Sequence, residues 1–502
     1  MKFASEFVLV LVLAIACCSS ASAERPNILL CISDDQSFAH TGANGDPVVS
    51  TPAFDRIARE GLRFVNAYCD APTCGPSRSA ILTGQPIWRL KEAGNLHSTL
   101  PSEFITYTEL LEEAGYFVGF TGKGWSPGRL EPGGRTTNPA GREFSGRRLE
   151  PPFKAMANND YAANFQDFLG QVPENQPFCF WLGTYEPHRA YELNAGAKSD
   201  KDPADVIVPP IFPDNDIVRN DILDYLVEVE HFDQMVSRVI EMLEDAGELD
   251  NTLVIVTSDH GMPFPRAKAS LYDAGTRVPL AIRWPTGIEK PGRVVDEFFN
   301  LSVLAPTILE VTGIEAPEMM SAVGMQNIFE DKGGRDRSAA YIAMERHDGC
   351  REGGKAYPCR AIRTADYLYI YNFEPTRWPA GSPDSKVCTR GLPFGEVDSS
   401  PTKTFLMENS NENGIARLAH LAFGIRPAEE LYDLRLDPDQ LNNVAGAVDM
   451  LEVQTALRQQ LFEHLRATQD PRATGGEALW DHYPYYGWVH PKTKDWFVHE
   501  KE

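Results

Sequence analysis

The sequence has no apolar run long enough to cross a bilayer. Its longest, residues 7–18, has twelve residues, against the roughly 20 that a spanning helix needs. Positive charge is scarce as well. Lys and Arg number 47 against 71 Asp and Glu, for a net charge of −24. Such a surface repels nucleic acid and anionic lipid, so no nucleic-acid partner is expected. If the substrate is an anion, a local cluster of cations must hold it; at ordinary salt the far field is screened beyond about 8–10 Å. No internal repeat is visible. What is there is globular: 42% hydrophobic, 24% charged and 10% aromatic residues. That composition excludes a disordered, collagen-like or coiled-coil chain.

Lys2, the short apolar run and Ala21-Ser22-Ala23 form the pattern of a secretory signal peptide spanning residues 1–23. The protein is therefore expected to be exported, to a periplasm or the exterior. Ala14-Ile15-Ala16-Cys17 lacks the leucine of a lipobox, so no lipid anchor is expected at Cys17. Past the signal, seven cysteines remain: Cys31, Cys69, Cys74, Cys179, Cys350, Cys359 and Cys388. The count is odd, so one must stay unpaired or be modified. Cys31 and Cys179 lie inside apolar runs and read as buried thiols. Cys350 and Cys359 flank a Gly-rich loop and could pair.

Apolar segments at 27–33, 117–121, 177–184, 253–258 and 278–284 read as buried strands of a sheet covered on both faces. Helical patterns alternate with them. Thr51-Pro52 marks a helix start and Gly61 its stop; a second helix is expected over 106–114 and a long amphipathic one over 221–246. This predicts an α/β domain over 24–356 with a large, mostly parallel sheet flanked by helices. A smaller α+β domain with an antiparallel sheet is expected over 357–502, with a hairpin at 361–371, a strand at 430–432 and a helix at 448–466.

Parallel sheets bind ligands beyond the carboxyl ends of their strands. Just past those ends lie Asp34-Asp35, Lys123, His188 and Asp259-His260. Asp34, Asp35 and Asp259 offer hard oxygen ligands and His260 a nitrogen, a set suited to Ca²⁺ or Mg²⁺ and compatible with Mn²⁺ or Zn²⁺. In Cys74-Gly75-Pro76-Ser77-Arg78-Ser79-Ala80-Ile81-Leu82-Thr83-Gly84, Pro76 suits a first helical turn and Gly84 a stop. Cys74 then sits at a helix N-terminus, where free N–H groups favour an anion, with Arg78 close by.

Cys74-x-Pro76-Ser77-Arg78 followed by Leu82-Thr83-Gly84 resembles the signature of the type I, formylglycine-dependent sulfatases. The resemblance extends through Arg25-Pro26-Asn27-Ile28, Gly122-Lys123, Thr257–Gly261 and Glu430–Leu434. It implies an alkaline-phosphatase-like sulfatase fold and a sulfuric ester or sulfamate hydrolase. It also implies oxidation of Cys74 to formylglycine by a maturation enzyme, Ca²⁺ as the metal, Arg78 and Lys123 as sulfate-charge partners, and His188 and Lys268 at the sulfate and leaving group. Hydrated formylglycine offers one hydroxyl to attack sulfur and a second to expel the sulfate. Glu186–Arg189, Val208-Pro209-Pro210, Asp233-Gln234 and Thr257–Pro265 resemble the N-sulfoglucosamine sulfohydrolase (heparan N-sulfatase, sulfamidase) group. That likeness points to the N-sulfate of glucosamine, with an O-sulfatase on a sulfated polysaccharide, or a phosphodiesterase or phosphonate hydrolase on the same scaffold, as alternatives. A protein that binds glycan without catalysis is the third reading. His97 and Arg360, together with the charged stretch Glu345, Arg346, His347 and Asp348, are expected to contact the sugar. Two departures stand out. The family's Lys-x-His reads Lys123-Gly124-Trp125 here, and His260 stands where sulfamidases carry Asn.

Overall fold

The computed structural model describes residues 25–334 and 336–493. The expected signal peptide and Cys17 fall outside them. Eight strands build the large sheet: β1 (Asn27–Ser33), β2 (Leu62–Tyr68), β3 (Phe117–Gly122), β4 (Arg142–Glu143), β5 (Phe178–Gly183), β6 (Thr252–Ser258), β7 (Leu280–Arg283) and β8 (Arg293–Asn300). Their order is β4-β3-β5-β1-β6-β7-β2-β8, and every pairing is parallel except those of β7. β1, β5 and β6 are buried along their whole length, as uninterrupted apolar runs require when helices cover both faces. β2 and β8 carry polar residues among the apolar ones and lack that signature; packing at the sheet's edge makes them strands.

The helix Pro52–Glu60 starts at Thr51 and ends at Gly61, as its sequence predicts. Thr51 makes no side-chain cap. Asp233, from the long helix Asp216–Asp245, accepts instead from the Ala53 and Phe54 backbone N–H groups at 2.9 and 2.8 Å. That bond pins one helix to the other and satisfies donors left free by helix geometry. The long helix begins five residues earlier than its apolar stripe suggests, because Asn215 caps it by accepting from the Val218 N–H. The helix Tyr107–Glu113 carries a capping box between Thr106 and Glu109.

A second, antiparallel sheet runs β12-β11-β10-β9, with β9 at Ala339–Met344, β10 at Cys359–Thr364, β11 at Tyr367–Asn372 and β12 at Glu429–Asp433. The expected hairpin is β10–β11. β9 joins it from ahead of residue 357. The amphipathic helix Leu451–Ala467 packs Leu457, Leu461 and Leu465 into the core beside this sheet. The disulfide joins Cys350 to Cys388, not to Cys359. Cys359 points from β10 into the apolar core with Met344 and Tyr357, out of reach of the loop cysteine. Cys31 and Cys179 are buried free thiols, as expected.

Candidate active site

The register of the large sheet assembles the site. Ser33 of β1 pairs with Ser258 of β6, so Asp34-Asp35 and Asp259-His260 leave the sheet side by side. On the other flank Gly122 of β3 pairs with Gly183 of β5, which brings Lys123 and the His188 loop alongside. The Asp35 N–H donates to Asp259 Oδ1 at 3.1 Å. Asp35 holds a left-handed backbone with φ of 76°, a conformation that Asp tolerates better than most residues. This turn aims both neighbouring carboxylates at one point.

Opposite them, the buried helix Cys74–Thr83 presents its N-terminus. Cys74 Sγ lies 3.5 Å from Asp34 Oδ1, 3.9 Å from Asp35 Oδ1 and 3.3 Å from His260 Nε2. Pro76 occupies the first turn, where no backbone donor is needed. Gly84 ends the helix at φ of 61°, a left-handed position that suits glycine. Ser77 donates to the Asp259 carbonyl and so ties this helix to β6.

Each carboxylate has a buried cation. Arg78 Nε donates to Asp259 Oδ2 at 2.9 Å, and its Nη2 lies 3.6 Å from Asp34. Lys123 Nζ pairs with Asp34 Oδ2. Lys268 Nζ bridges Asp35 Oδ2 at 2.7 Å and Asp398 Oδ2 at 3.1 Å. Burial alone would raise the Asp259 carboxyl, but the Arg78 guanidinium foremost, with Lys123, holds it well below the usual carboxylate range. Burial would lower Lys268 and Lys123; their carboxylate partners outweigh it and keep both charged. Burial, with Asp34 beside it, pushes the Cys74 thiol far up, so the unmodified side chain is an inert thiol rather than a nucleophile.

The donor set fits a hard divalent cation. His260 Nδ1 faces the Gly261 carbonyl at 3.0 Å, so it carries the proton and leaves Nε2 a lone pair. That lone pair points at Asp35 Oδ1, 3.0 Å away. Two acceptors at that distance need a proton or a cation between them. Asp34, Cys74, Asp259 and His260 place their ligand atoms within 4.8 Å of one another, as do Asp34, Asp35, Cys74 and His188. A hard cation there would offset the mutual repulsion of the carboxylates.

Above these groups opens a cavity of about 440 Å³, lined by Asp34, Cys74, His97, Lys123, His188, Lys268 and His347 among others. His97 reaches toward Asp348 at 3.6 Å, and burial lowers its ring below the usual histidine value. Of the expected sugar contacts, Glu345 and Arg360 do not line this cavity. Arg360 is fully buried and bonds Glu345 at 2.7 Å and Asp470 at 2.6 Å, while Arg472 closes the other side of Glu345 at 2.7 Å. This network fastens the small sheet to the C-terminal segment. Arg346 likewise donates to the carbonyls of Tyr483 and Pro484. Of that charged stretch, Glu345 and Arg346 belong to a buried ionic lock, while His347 lines the cavity. Arg390, Glu228 and Tyr185 line the cavity without any mark in the sequence, and Arg189 lines it from the Glu186–Arg189 stretch that carried the resemblance. Arg390 reaches it from a loop with no periodicity, paired to Asp348 at 2.5 Å and Asp398 at 2.7 Å.

The sulfatase family profile matches residues 26–314. The chain belongs to the sulfatase family. A second profile, the N-sulphoglucosamine sulphohydrolase C-terminal region, matches residues 263–379 of this sulfatase. An ulvan-active sulfatase of Formosa agariphila is 26% identical over 474 residues, covering 89% of this chain and 76% of its own. The N-sulphoglucosamine sulphohydrolase of Homo sapiens is 27% identical over 496 residues, covering 89% of this chain and 91% of its own. Among solved structures, BT4656 in complex with its substrate D-glucosamine-2-N,6-O-disulfate superposes with a TM-score of 0.65 at 21% identity, over 90% of this sulfatase and 100% of that chain. The phosphonate monoester hydrolase of Agrobacterium radiobacter superposes at 0.61 with 17% identity, over 88% and 96%. The fold is thus the alkaline-phosphatase-like sulfatase fold, and the enzyme is a sulfate ester or sulfamate hydrolase.

Proposed function

We propose that this sulfatase is exported, carries formylglycine at position 74 and a divalent metal, Ca²⁺ first, and removes sulfate from a sulfated sugar, the N-sulfate of glucosamine being the leading candidate. The observation that carries the reading is the placement of Cys74 Sγ against Asp34, Asp35 and His260 at the floor of a cavity walled by Lys123, Lys268 and His188. The human relative named for N-sulphoglucosamine and the match to its C-terminal region favour the N-sulfate. The disulfide Cys350–Cys388 agrees with an oxidising, extracytoplasmic location.

Asp34, Asp35, Asp259 and His260 would hold the metal, which supplies positive charge to polarise an oxygen at the nucleophile. The formylglycine supplies, when hydrated, two hydroxyls on one carbon. The chain's own residues do the rest. Lys123 and Lys268 stay charged and compensate the anionic sulfuryl group as charge shifts toward the leaving atom. Arg78 donates through Nε to Asp259 and through Nη1 to the carbonyls of Lys123 and Gly124, and so orients the metal-side carboxylate and the Lys123 backbone; its buried Nη2 has no hydrogen-bond partner among the described residues and lies 3.6 Å from Asp34. His188 faces its Nδ1 to the Arg189 carbonyl, which fixes the proton there. Its Nε2 borders the cavity, where the protonated ring would donate to the departing amine or alcohol.

The test is sulfate release from N-sulfoglucosamine and from O-sulfated glucosamine. The protein would be co-expressed with a formylglycine-generating enzyme and assayed with Ca²⁺, with Cys74→Ala as control. Release from the N-sulfated sugar together with a new free amine is expected. Release from O-sulfated sugar alone would keep the chemistry and reject the substrate. Faster turnover of a phosphonate monoester than of either would reject the sulfatase reading.

A further inference from the structure

The family pattern places a histidine two residues after Lys123, and this chain has Trp125. The indole does not take over a polar task in the cavity. It is buried, its Nε1–H donates to Ser79 Oγ at 2.8 Å, and it does not line the cavity. The cavity does have an imidazole from a different part of the chain. His347 lies beyond β9, is 1% exposed and lines the same space as Cys74.

Hydrogen-bond accounting fixes the state of this ring. His347 Nδ1 sits 2.7 Å from Thr73 Oγ1. Thr73 is buried, immediately precedes Cys74, and its hydroxyl makes no helix-capping bond. A buried hydroxyl must place its hydrogen on an acceptor. Nδ1 is the acceptor at hand, so Thr73 donates and Nδ1 carries no hydrogen. The proton of the neutral ring is then on Nε2. That Nε2–H is buried and has no hydrogen-bond partner among the described residues, a state that costs free energy until a partner arrives. Burial pushes the ring down to about 3, so the neutral tautomer persists across the working range.

We propose that His347 is the neutral donor for a sulfuryl oxygen of the bound substrate, supplied from the loop after β9 and locked in its tautomer by Thr73. This rests on the reading of the cavity as a sulfate site. Lys123 and Lys268 are already balanced by Asp34, Asp35 and Asp398, so a neutral N–H adds recognition without adding charge to a crowded centre. The disulfide at Cys350 lies three residues on and holds the segment in place.

The experiment is binding of inorganic sulfate, by calorimetry with Ca²⁺ present, to the Cys74→Ala protein, so that no turnover enters. A hydrogen bond to a charged group predicts that His347→Phe weakens sulfate binding by about tenfold to a hundredfold. His347→Gln, whose amide can restore a donor, should recover much of the loss. Thr73→Val, which touches only the tautomer, should weaken binding several-fold. Nitrogen NMR of the Cys74→Ala protein gives an answer that needs no variant at position 347: the ring should show a protonated Nε2 that shifts on adding sulfate. Sulfate binding that survives His347→Phe unchanged, or a ring protonated on Nδ1, would overturn the role of His347 alone. No sulfate binding by the Cys74→Ala protein would overturn the reading of the cavity itself, and the role of His347 with it.

Discussion

The two ends of the cavity are built differently. The floor comes from the tips of parallel strands, where the pairing of Ser33 with Ser258 leaves Asp34, Asp35 and Asp259 no freedom to drift. The far wall comes from loops. His347 reaches it from one loop and Arg390 from another, joined behind the wall by the Cys350–Cys388 bridge and by the pairing of Arg390 with Asp348 and Asp398. Lys268 touches both ends, with one carboxylate from each. On the proposed function, the division would separate the reacting atoms from the atoms that choose the substrate. Loops held by cross-links can change while the sheet beneath them stays as it is.

The largest effect should come from the floor. Cys74→Ala should cut sulfate release by on the order of 10⁴-fold or more, measured as released sulfate at saturating substrate, with the melting temperature little changed. A smaller loss would mean that the strand-end groups act without residue 74. Arg360→Ala tests the ionic lock behind the wall. It strips Asp470 of its guanidinium partner and leaves Glu345 to Arg472 alone, and should cost about 3–5 kcal/mol of stability by urea unfolding. KM should be unaltered in the folded fraction; a raised KM at full stability would return Arg360 to the sugar site.

Removing the bridge should cost less. Cys350→Ser with Cys388→Ser should lose about 2–4 kcal/mol, and KM should rise several-fold while kcat holds. A fall in kcat at constant KM would show that the two ends are not separable. The smallest effect is expected at Glu228, on the cavity side of the long helix. Burial, with Glu186 and Asp224 near, pushes its carboxyl up to about 9, against roughly 4.3 in an unfolded chain. Between those values the folded state keeps a proton that the unfolded state has lost, so this group makes stability fall as pH rises. Glu228→Gln should match the wild type near pH 4, exceed it in melting temperature at pH 8, and leave turnover at pH 6–7 within about twofold.

The floor was legible because buried parallel strands write themselves as apolar runs, and the residue that ends each run is the one at the mouth of the sheet. Asp34, Lys123, His188 and Asp259 were found that way, and Cys74 by its helix punctuation. The wall was legible only in part: His97 and His347, expected as sugar contacts, line the cavity, but the rest was not legible. Arg390 and Asp398 sit in a loop without periodicity, and Glu228 is one acid among many on a helix whose stripe says which face is buried but not which buried acid meets a cavity. Glu345 and Arg360 misled for the opposite reason. Adjacent charges read as surface or pocket, whereas here each satisfies another within the core. β2 and β8 escaped notice because polar residues interrupt their apolar pattern, and Cys388 because thirty-eight residues separate it from its partner.

The burial of Cys74 has a consequence in time. The thiol is 2% exposed, and the groups that enclose it arrive late: His260 is 186 residues further along the chain. At a synthesis rate of about 5–20 residues per second, the chain carries residue 74 for roughly 10–40 s before β6 can close over it. On the proposal that residue 74 becomes formylglycine, an enzyme that needs the thiol as an extended segment has to act before the chain closes around it. On the same proposal, slowing synthesis between residues 84 and 252 should raise the fraction of molecules that carry formylglycine at position 74, with no change in the sequence at all.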